Sequence, residues 1–142
     1  MSITFQDIYH TEKTAGWMSK PFTGFSLDSR KVDAGQIFIA LTSFSQPEKT
    51  LQFAQSALAR GALAVVSETD LGLENSIVVA NVRHLMGQWQ KQYLQATQAV
   101  NAARIIAVTG TNGKTTISRL IAELLMLQGK KCAVMGTTGN GI

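Results

Sequence analysis

Short runs of apolar, largely β-branched residues recur along the first 80 positions of the chain. The runs QIFIAL (36–41), ALAVVSE (62–68) and SIVVA (76–80) are each bounded by turn-forming residues. Uninterrupted runs of this length are typical of strands that a parallel sheet buries on both faces. The pattern therefore predicts three buried strands.

Two stretches follow the three-to-four-residue spacing of amphipathic helices. The first helix lies between the first two strands, where Thr50 is the expected N-cap and Gly61 the expected left-handed residue at the C-terminal end. Its apolar face consists of Phe53, Ala54, Ala57 and Leu58. The second helix, at about 83–97, has Leu85, Met86, Trp89 and Tyr93 on one face. An aromatic stripe at this spacing favours core packing over ligand stacking.

The polar, small-residue stretch at 95–103 predicts a junction between a domain at 1–100 and the start of another at 101–142. Beyond it, RIIAVT (104–109) predicts a buried strand, and a helix follows from Thr115 to the closing residue Gly129. The apolar positions of this helix are Ile117, Leu120, Ile121, Leu124 and Leu125. A further strand begins near KCAVM (131–135), which places Cys132 in the core.

A glycine loop lies between the predicted strand at 104–109 and the helix. It consists of Gly110, Thr111, Asn112, Gly113, Lys114, Thr115 and Thr116. Free amides at a helix N-terminus attract anions, and glycines let the backbone approach them closely. The loop therefore predicts ATP binding, with the Thr115 hydroxyl on Mg²⁺. It departs from the general phosphate-loop pattern at Val108, where that pattern has glycine.

Composition and charge limit the classes of ligand that the chain is expected to bind. The chain is 45% hydrophobic and 15% charged, as in ordinary globular domains. Its net charge of +4 comes from residues 101–142, which hold five basic and one acidic residue. No aromatic residue follows Tyr93 to stack on bases, so a small polyanion is favoured over nucleic acid. A single cysteine, and the lack of a signal sequence or apolar membrane span, lead us to expect a cytoplasmic protein with no membrane partner.

The loop sequence GTNGKT (110–115) resembles the ATP loop of the Mur ligase and folylpolyglutamate synthase superfamily. Two other segments, LDSRKVDAGQIFIAL (27–41) and VMGTTGNGI (134–142), are similar to segments of the tripeptide-forming Mur ligases. The resemblance covers essentially the whole chain. It implies an ATP-dependent, monomeric three-domain ligase that adds meso-diaminopimelate, or lysine in some relatives, to UDP-N-acetylmuramoyl-L-alanyl-D-glutamate.

The resemblance also implies a fold and a substrate site. The fold is α/β, with an N-terminal uridine-nucleotide-binding domain followed by the first β-loop-α-β of a P-loop parallel-sheet ATPase domain. The implied contacts to the uridine nucleotide are Leu27, Ser29, Phe44, Ser45 and Gln46. The segment TSFSQPEK (42–49) lacks the glycine and Asp-Gly pair that relatives commonly have there. An alternative for Asp28, Ser29 and Arg30 is a turn held by an Asx-type hydrogen bond.

No residue of this chain is expected to be catalytic. The only acid after Glu74 is Glu123, expected to be buried in mid-helix away from the loop, and His10 and His84 are expected to be surface or packing residues. The interpretation is thus an N-terminal part of a longer ligase that is inactive alone. Two alternatives are a self-contained, non-catalytic nucleotide-binding module and a small NTPase, which would need an acidic Mg²⁺ ligand.

Overall fold

The computed structural model describes residues 2–12, 15–42, 46, 48–98, 104–136 and 139–141. The chain divides into two compact units, Met1–Asn101 and Ala102–Ile142. The elements of the first unit are β1 (Phe25–Ser26), β2 (Ile37–Ala40), α1 (Glu48–Ala59), β3 (Ala64–Ser67), β4 (Ser76–Val78) and α2 (Val82–Ala96), with short 3-10 helices at Phe5–Asp7, Gly16–Ser19 and Ser29–Lys31. Those of the second are α3 (Lys114–Leu127), β5 (Val134–Gly136) and β6 (Gly139–Gly141).

The first unit is built on a four-stranded sheet in the order β1-β2-β3-β4, in which all neighbouring strands are parallel. The three predicted strands are confirmed, each shorter at its ends than the apolar run. Because β2, α1 and β3 follow one another, they form the expected βαβ unit. The edge strand β1 was not predicted, since two residues carry too little pattern to be recognised.

The strands separate two apolar layers. Ile37 and Ile39 of β2 join the cluster on the α2 side, whereas Phe38 and Ala40 join the cluster that contains Ala54 of α1. This alternation follows from the two-residue period of a strand. The first unit is therefore an α/β sandwich with apolar side chains on both faces of the sheet, which confirms the predicted fold class.

Helix α1 corrects two details of the sequence analysis. It begins at Glu48, so Thr50 lies inside the first turn, 3% exposed, and does not cap the helix. Phe53 is half exposed, whereas Ala54 and Ala57 are buried, so the apolar face is narrower than expected. Gly61 has φ of +99° and its amide bonds to the Leu58 carbonyl, as expected for a left-handed residue after a helix.

Helix α2 contributes Trp89 and Tyr93 to an aromatic cluster, which confirms that they belong to the core. Trp89 is 1% exposed, and its ring lies 5.2 Å from Phe5 and 5.4 Å from Tyr9 between ring centroids. At the start of α2, the Glu68 carboxylate accepts a hydrogen bond from the Val82 amide at 2.9 Å. This carboxylate satisfies an amide that the start of α2 leaves free.

The second unit contains the predicted helix, α3. Gly129, with φ of +74°, closes it, because the Gly129 amide bonds to the Met126 carbonyl and the Lys130 amide to that of Leu125. The following strand begins only at Val134, so Cys132 precedes it and is half exposed; its predicted place in the core was wrong. The antiparallel return β6 was not predicted.

Two further expectations for this unit were wrong. Residues 104–109 form no strand, and Ile105 is 92% exposed. A strand exists only when a neighbour pairs with its backbone, and none of the described residues pairs with this segment. Glu123 lies in mid-helix as expected but is exposed. Ala122 is the only buried residue that the structure describes between 104 and 136.

Candidate functional site

The glycine loop leads directly into α3 and is exposed. Gly113, the residue before the helix, has φ of +76°, and Gly110 has φ of +149°. Side chains with a Cβ rarely adopt these conformations, so both positions require glycine for backbone reasons. A Cβ at either position would make only ordinary contacts, the nearest atom being 3.7 Å away.

The first turn of α3 presents free amides. The first helical hydrogen bond runs from the Ile117 amide to the Gly113 carbonyl at 2.9 Å. The amides of Lys114, Thr115 and Thr116 have no hydrogen-bond acceptor among the described residues. Unpaired amides at the start of a 14-residue helix form a site of positive potential.

The Lys114 side chain folds back onto the loop. Its Nζ donates to the Gly110 carbonyl at 2.6 Å and lies 3.4 Å from the Thr111 carbonyl oxygen. The Thr115 hydroxyl has no partner in the described part of the chain, although the Thr115 carbonyl accepts a hydrogen bond from Ser118 Oγ at 3.0 Å. Thr111, Asn112 and Thr116 are exposed. The loop therefore offers amides, an ammonium group and a free hydroxyl to an anion, and these groups fit a nucleotide phosphate and its Mg²⁺.

Acidic ligands for a metal are sparse. Within the described ranges, no three His, Cys, Asp or Glu side chains come together in a way that could hold a metal ion. The exposed Glu123 lies more than two helical turns beyond Lys114. His10 and His84 are exposed as well. Among the described residues, the loop therefore offers a metal one side-chain ligand, the Thr115 hydroxyl.

Three of the five predicted uridine-nucleotide contacts lie in the connections at one edge of the four-stranded sheet. Leu27 and Ser29 follow β1, and Gln46 follows β2. Because β1 and β2 are parallel, both loops leave the sheet at its carboxyl edge, which is where open α/β sheets bind ligands. Leu27 is 57% exposed and Gln46 is exposed, whereas Ser29 is 7% exposed. Phe44 and Ser45 lie outside the described residues.

Asp28 and Arg30 form the turn between Leu27 and the sheet's second strand. Asp28 Oδ1 accepts hydrogen bonds from the Arg30 amide at 3.0 Å and from Arg30 Nε at 2.9 Å, and Oδ2 accepts from Nη2 at 2.9 Å. The Asx-type hydrogen bond is thus present. Two hydrogen-bonding effects lower the pKa of Asp28 from 3.8 to about 2: the larger is hydrogen bonding from the Arg30 guanidinium, and the smaller is the hydrogen bond from the Arg30 amide.

From the sequence, Arg30 is expected only as part of this turn. Its guanidinium is held by a two-bond ion pair, and the Arg30 side chain is 84% exposed beside the predicted contacts. The Asp-x-Arg spacing is the signal that could have pointed to this pair. Aspartate commonly forms turns of this kind, so the sequence predicts the turn. The two-bond contact with the guanidinium depends on the side-chain rotamers, which the sequence does not show.

Comparison with known proteins identifies the family. Residues 108–142 match the profile of the Mur ligase middle domain. The whole chain superimposes on a solved structure of UDP-N-acetylmuramoyl-L-alanyl-D-glutamate--2,6-diaminopimelate ligase with a TM-score of 0.83 and 65% identity, covering 29% of that chain. The chain belongs to the Mur ligase family. The resemblance of its glycine loop to Mur ligases is thereby confirmed.

Other Mur ligases are more distant. The diaminopimelate ligase of Haemophilus influenzae is 44% identical over 124 residues, which cover 82% of this chain and 25% of that protein. MurF from Acinetobacter baumannii has 27% identity and a TM-score of 0.56, over 77% of this chain and 23% of that one. The chain thus spans about a quarter of the length of its Mur ligase relatives. None of the helices described here has the length and apolar character needed to cross a membrane.

Proposed function

We propose that this chain is the N-terminal substrate- and ATP-binding part of a Mur ligase that adds meso-diaminopimelate to UDP-N-acetylmuramoyl-L-alanyl-D-glutamate. The observation that carries the proposal is the 65% identity to a diaminopimelate ligase over the full 142 residues, at a TM-score of 0.83. Identity at this level over both units supports transfer of the activity in that protein's name. The parent enzyme is proposed to act as a cytoplasmic monomer in peptidoglycan precursor synthesis.

The glycine loop is the proposed ATP site. Its amides, at Gly110 to Gly113 and in the first turn of α3, would surround the phosphates together with Thr111, Asn112 and Thr116. Lys114 would neutralise the outer phosphates, and the Thr115 hydroxyl would hold Mg²⁺. The free amides and the positive φ of Gly113 support this assignment.

The reaction proposed for the parent enzyme is an amide-bond synthesis. ATP supplies a phosphoryl group to the side-chain carboxylate of D-glutamate, and the amine of diaminopimelate then displaces phosphate from that acyl phosphate. No residue of the 142 is assigned a catalytic role, and the diaminopimelate site is assigned to the remaining three quarters of the relatives' length. We therefore propose that the chain alone binds nucleotides without ligating them.

The uridine nucleotide is proposed to bind at the carboxyl edge of β1 and β2. The contacts are those implied by the family resemblance: Leu27, Ser29, Phe44, Ser45 and Gln46. The exposure of Leu27 and Gln46 and their common sheet edge support this site. Ser29 is buried in the same connection after β1 and would contribute a hydrogen bond from its hydroxyl.

Titration calorimetry with UDP tests the substrate site. Ser29→Ala should weaken UDP binding about 5-fold, the effect of one neutral hydrogen bond. Ser56→Ala, at an exposed position of α1, is the matched control and should leave the affinity unchanged. Equal affinities for UDP in wild type and Ser29→Ala would remove Ser29 from the site.

A ligation assay tests the proposal that the chain alone does not form tripeptide. The purified chain, supplied with ATP, Mg²⁺, UDP-N-acetylmuramoyl dipeptide and diaminopimelate, should form no tripeptide. The full-length Haemophilus influenzae ligase, assayed in parallel, serves as the positive control. Tripeptide formation by the chain would show that it holds catalytic residues and would overturn this part of the proposal.

A further inference from the structure

The Asp28–Arg30 pair fixes an arginine at the edge of the proposed uridine-nucleotide site. Three hydrogen bonds from Arg30 converge on the Asp28 carboxylate, two from the guanidinium and one from the backbone amide. The Lys31 amide bonds to the Asp28 carbonyl at 3.0 Å, and Ser26 Oγ donates to the same carbonyl at 3.1 Å. The guanidinium is therefore held by a turn that is itself internally bonded.

The fixed guanidinium still has donors to offer. A guanidinium carries five N–H groups, and Asp28 engages Arg30 through Nε and Nη2 only, which leaves both Nη1 hydrogens and one on Nη2. The Arg30 side chain is 84% exposed. An arginine whose orientation is already set loses less conformational freedom when it binds a second anion.

Position and charge point to the same ligand group. Arg30 follows Ser29 and lies in the loop that leaves β1 at the carboxyl edge of the sheet. The neighbouring Lys31 adds a second positive charge, and Asp28 is the one acid of this loop segment at 27–31. Arginine forms two-bond contacts with phosphate more readily than any other side chain.

We propose that Arg30 binds the diphosphate of the uridine-nucleotide substrate, and that Asp28 is the positioning residue that orients it. This inference rests on the proposed uridine-nucleotide site. It assigns the diphosphate of the ligand to Arg30, which is not among the five predicted contacts. The nucleoside would contact Leu27 and Ser29, and the phosphates would lie over the exposed side of the guanidinium.

A purely structural role for Arg30 makes a different prediction. If Arg30 only holds the turn, its loss displaces Leu27 and Ser29 and weakens the binding of uridine and UDP equally. If it binds phosphate, its loss weakens UDP binding and leaves uridine binding nearly unchanged, because uridine carries no phosphate. The ratio of the two affinities therefore separates the roles.

The experiment measures the binding of uridine and of UDP to the 142-residue chain by NMR titration. Arg30→Ala should lower UDP affinity about tenfold or more, as expected for the loss of charge-assisted hydrogen bonds, and should change uridine affinity less than twofold. Arg30→Lys keeps the charge and should recover part of the UDP affinity. Lys31→Ala is the matched control for loss of one positive charge and should have a smaller effect.

Each outcome decides the question. Equal weakening of both ligands, or no weakening of UDP, overturns the role of Arg30, whereas a Ser29→Ala variant that weakens both ligands would still uphold the site itself. If the wild-type chain binds neither ligand, the proposed substrate site and this inference both fail. Circular dichroism checks the fold of each variant, and Arg30→Lys provides the comparison if Arg30→Ala does not fold.

Discussion

The ammonium group of Lys114 donates a hydrogen bond of 2.6 Å to the carbonyl of Gly110, across the loop that precedes α3. The contact joins the start of the helix to the start of the glycine loop. It stabilises the curved form of the loop, because a charged donor strengthens a hydrogen bond. For Lys114 to bind phosphate as proposed, its ammonium would have to exchange this carbonyl for phosphate oxygens.

Replacing Lys114 tests this exchange. Lys114→Met should weaken the binding of Mg²⁺-ATP about 10- to 100-fold, since it removes one or more charge-assisted hydrogen bonds of about 1.5–3 kcal/mol each. Lys130→Met, at an exposed residue beyond α3, is the control for net charge and should have little effect. Calorimetry on the 142-residue chain provides the affinities. A Lys114→Met variant that binds ATP as tightly as wild type would rule out the proposed site.

Gly113 should be the glycine whose replacement most disturbs the start of α3. With φ of +76°, an alanine there adopts a left-handed conformation that costs about 1–2 kcal/mol. Gly113→Ala should therefore increase hydrogen exchange at the first amides of α3. Gly136→Ala is the control, because a Cβ there meets no atom within 4 Å and the φ is not positive. Similar exchange in both variants would contradict a conformational role for Gly113.

In the first unit, the sequence correctly predicted elements whose apolar spacing and length both indicate the same type of structure. β2 and β3 each have four consecutive buried residues, a pattern that leaves few alternatives to a central parallel strand. In α2, the spacing of Trp89 and Tyr93 correctly placed both in the aromatic core. The glycine loop was recognisable because Gly110, Gly113 and Lys114 stand where the helical spacing of apolar residues begins.

Features that depend on contacts between segments distant in sequence were harder to predict. Residues 104–109 have the composition of a buried strand, but strand formation also needs a paired neighbour, and Ile105 is instead exposed. Threonine is a favourable N-cap residue, which is why the sequence predicts a cap at Thr50, yet α1 begins two residues earlier and buries it. The proposed uridine contacts would depend on two loops, which the parallel pairing of β1 with β2 brings to one edge of the sheet.

The aromatic cluster should dominate the stability of the first unit. Trp89→Ala should lower the free energy of unfolding by about 3–5 kcal/mol, because the side chain is buried against Phe5 and Tyr9. Phe53→Ala, which removes a half-exposed ring from α1, should cost about 1 kcal/mol. Urea unfolding followed by circular dichroism measures both. Comparable losses would contradict the dominant role of the cluster around Trp89.

The Asp28–Arg30 pair should also give a pH-dependent contribution to stability. The folded pKa of Asp28, about 2, lies below its ordinary value of 3.8, so the pair stabilises the fold fully above about pH 4. That contribution should disappear as the pH falls from about 4 to 2. NMR titration of the Asp28 carboxyl should show the low pKa, and Arg30→Ala should raise it towards 3.8. A pKa near 3.8 in the wild-type chain would mean that the pair does not form in solution.

The second unit should be the less protected of the two against hydrogen exchange. Ala122 is its one buried residue in the described range 104–136, whereas β3 of the first unit is buried at all four positions. Local opening is easier where little apolar surface is buried. Amides of α3 should therefore exchange faster than those of β3 in the isolated chain. Leu124→Gln, at an exposed position of α3, should leave the exchange pattern unchanged, whereas Ala122→Asp should accelerate exchange throughout the helix. Equal protection of α3 and β3 would show that the apolar side chains of α3, among them Leu120 and Leu124, are covered in solution.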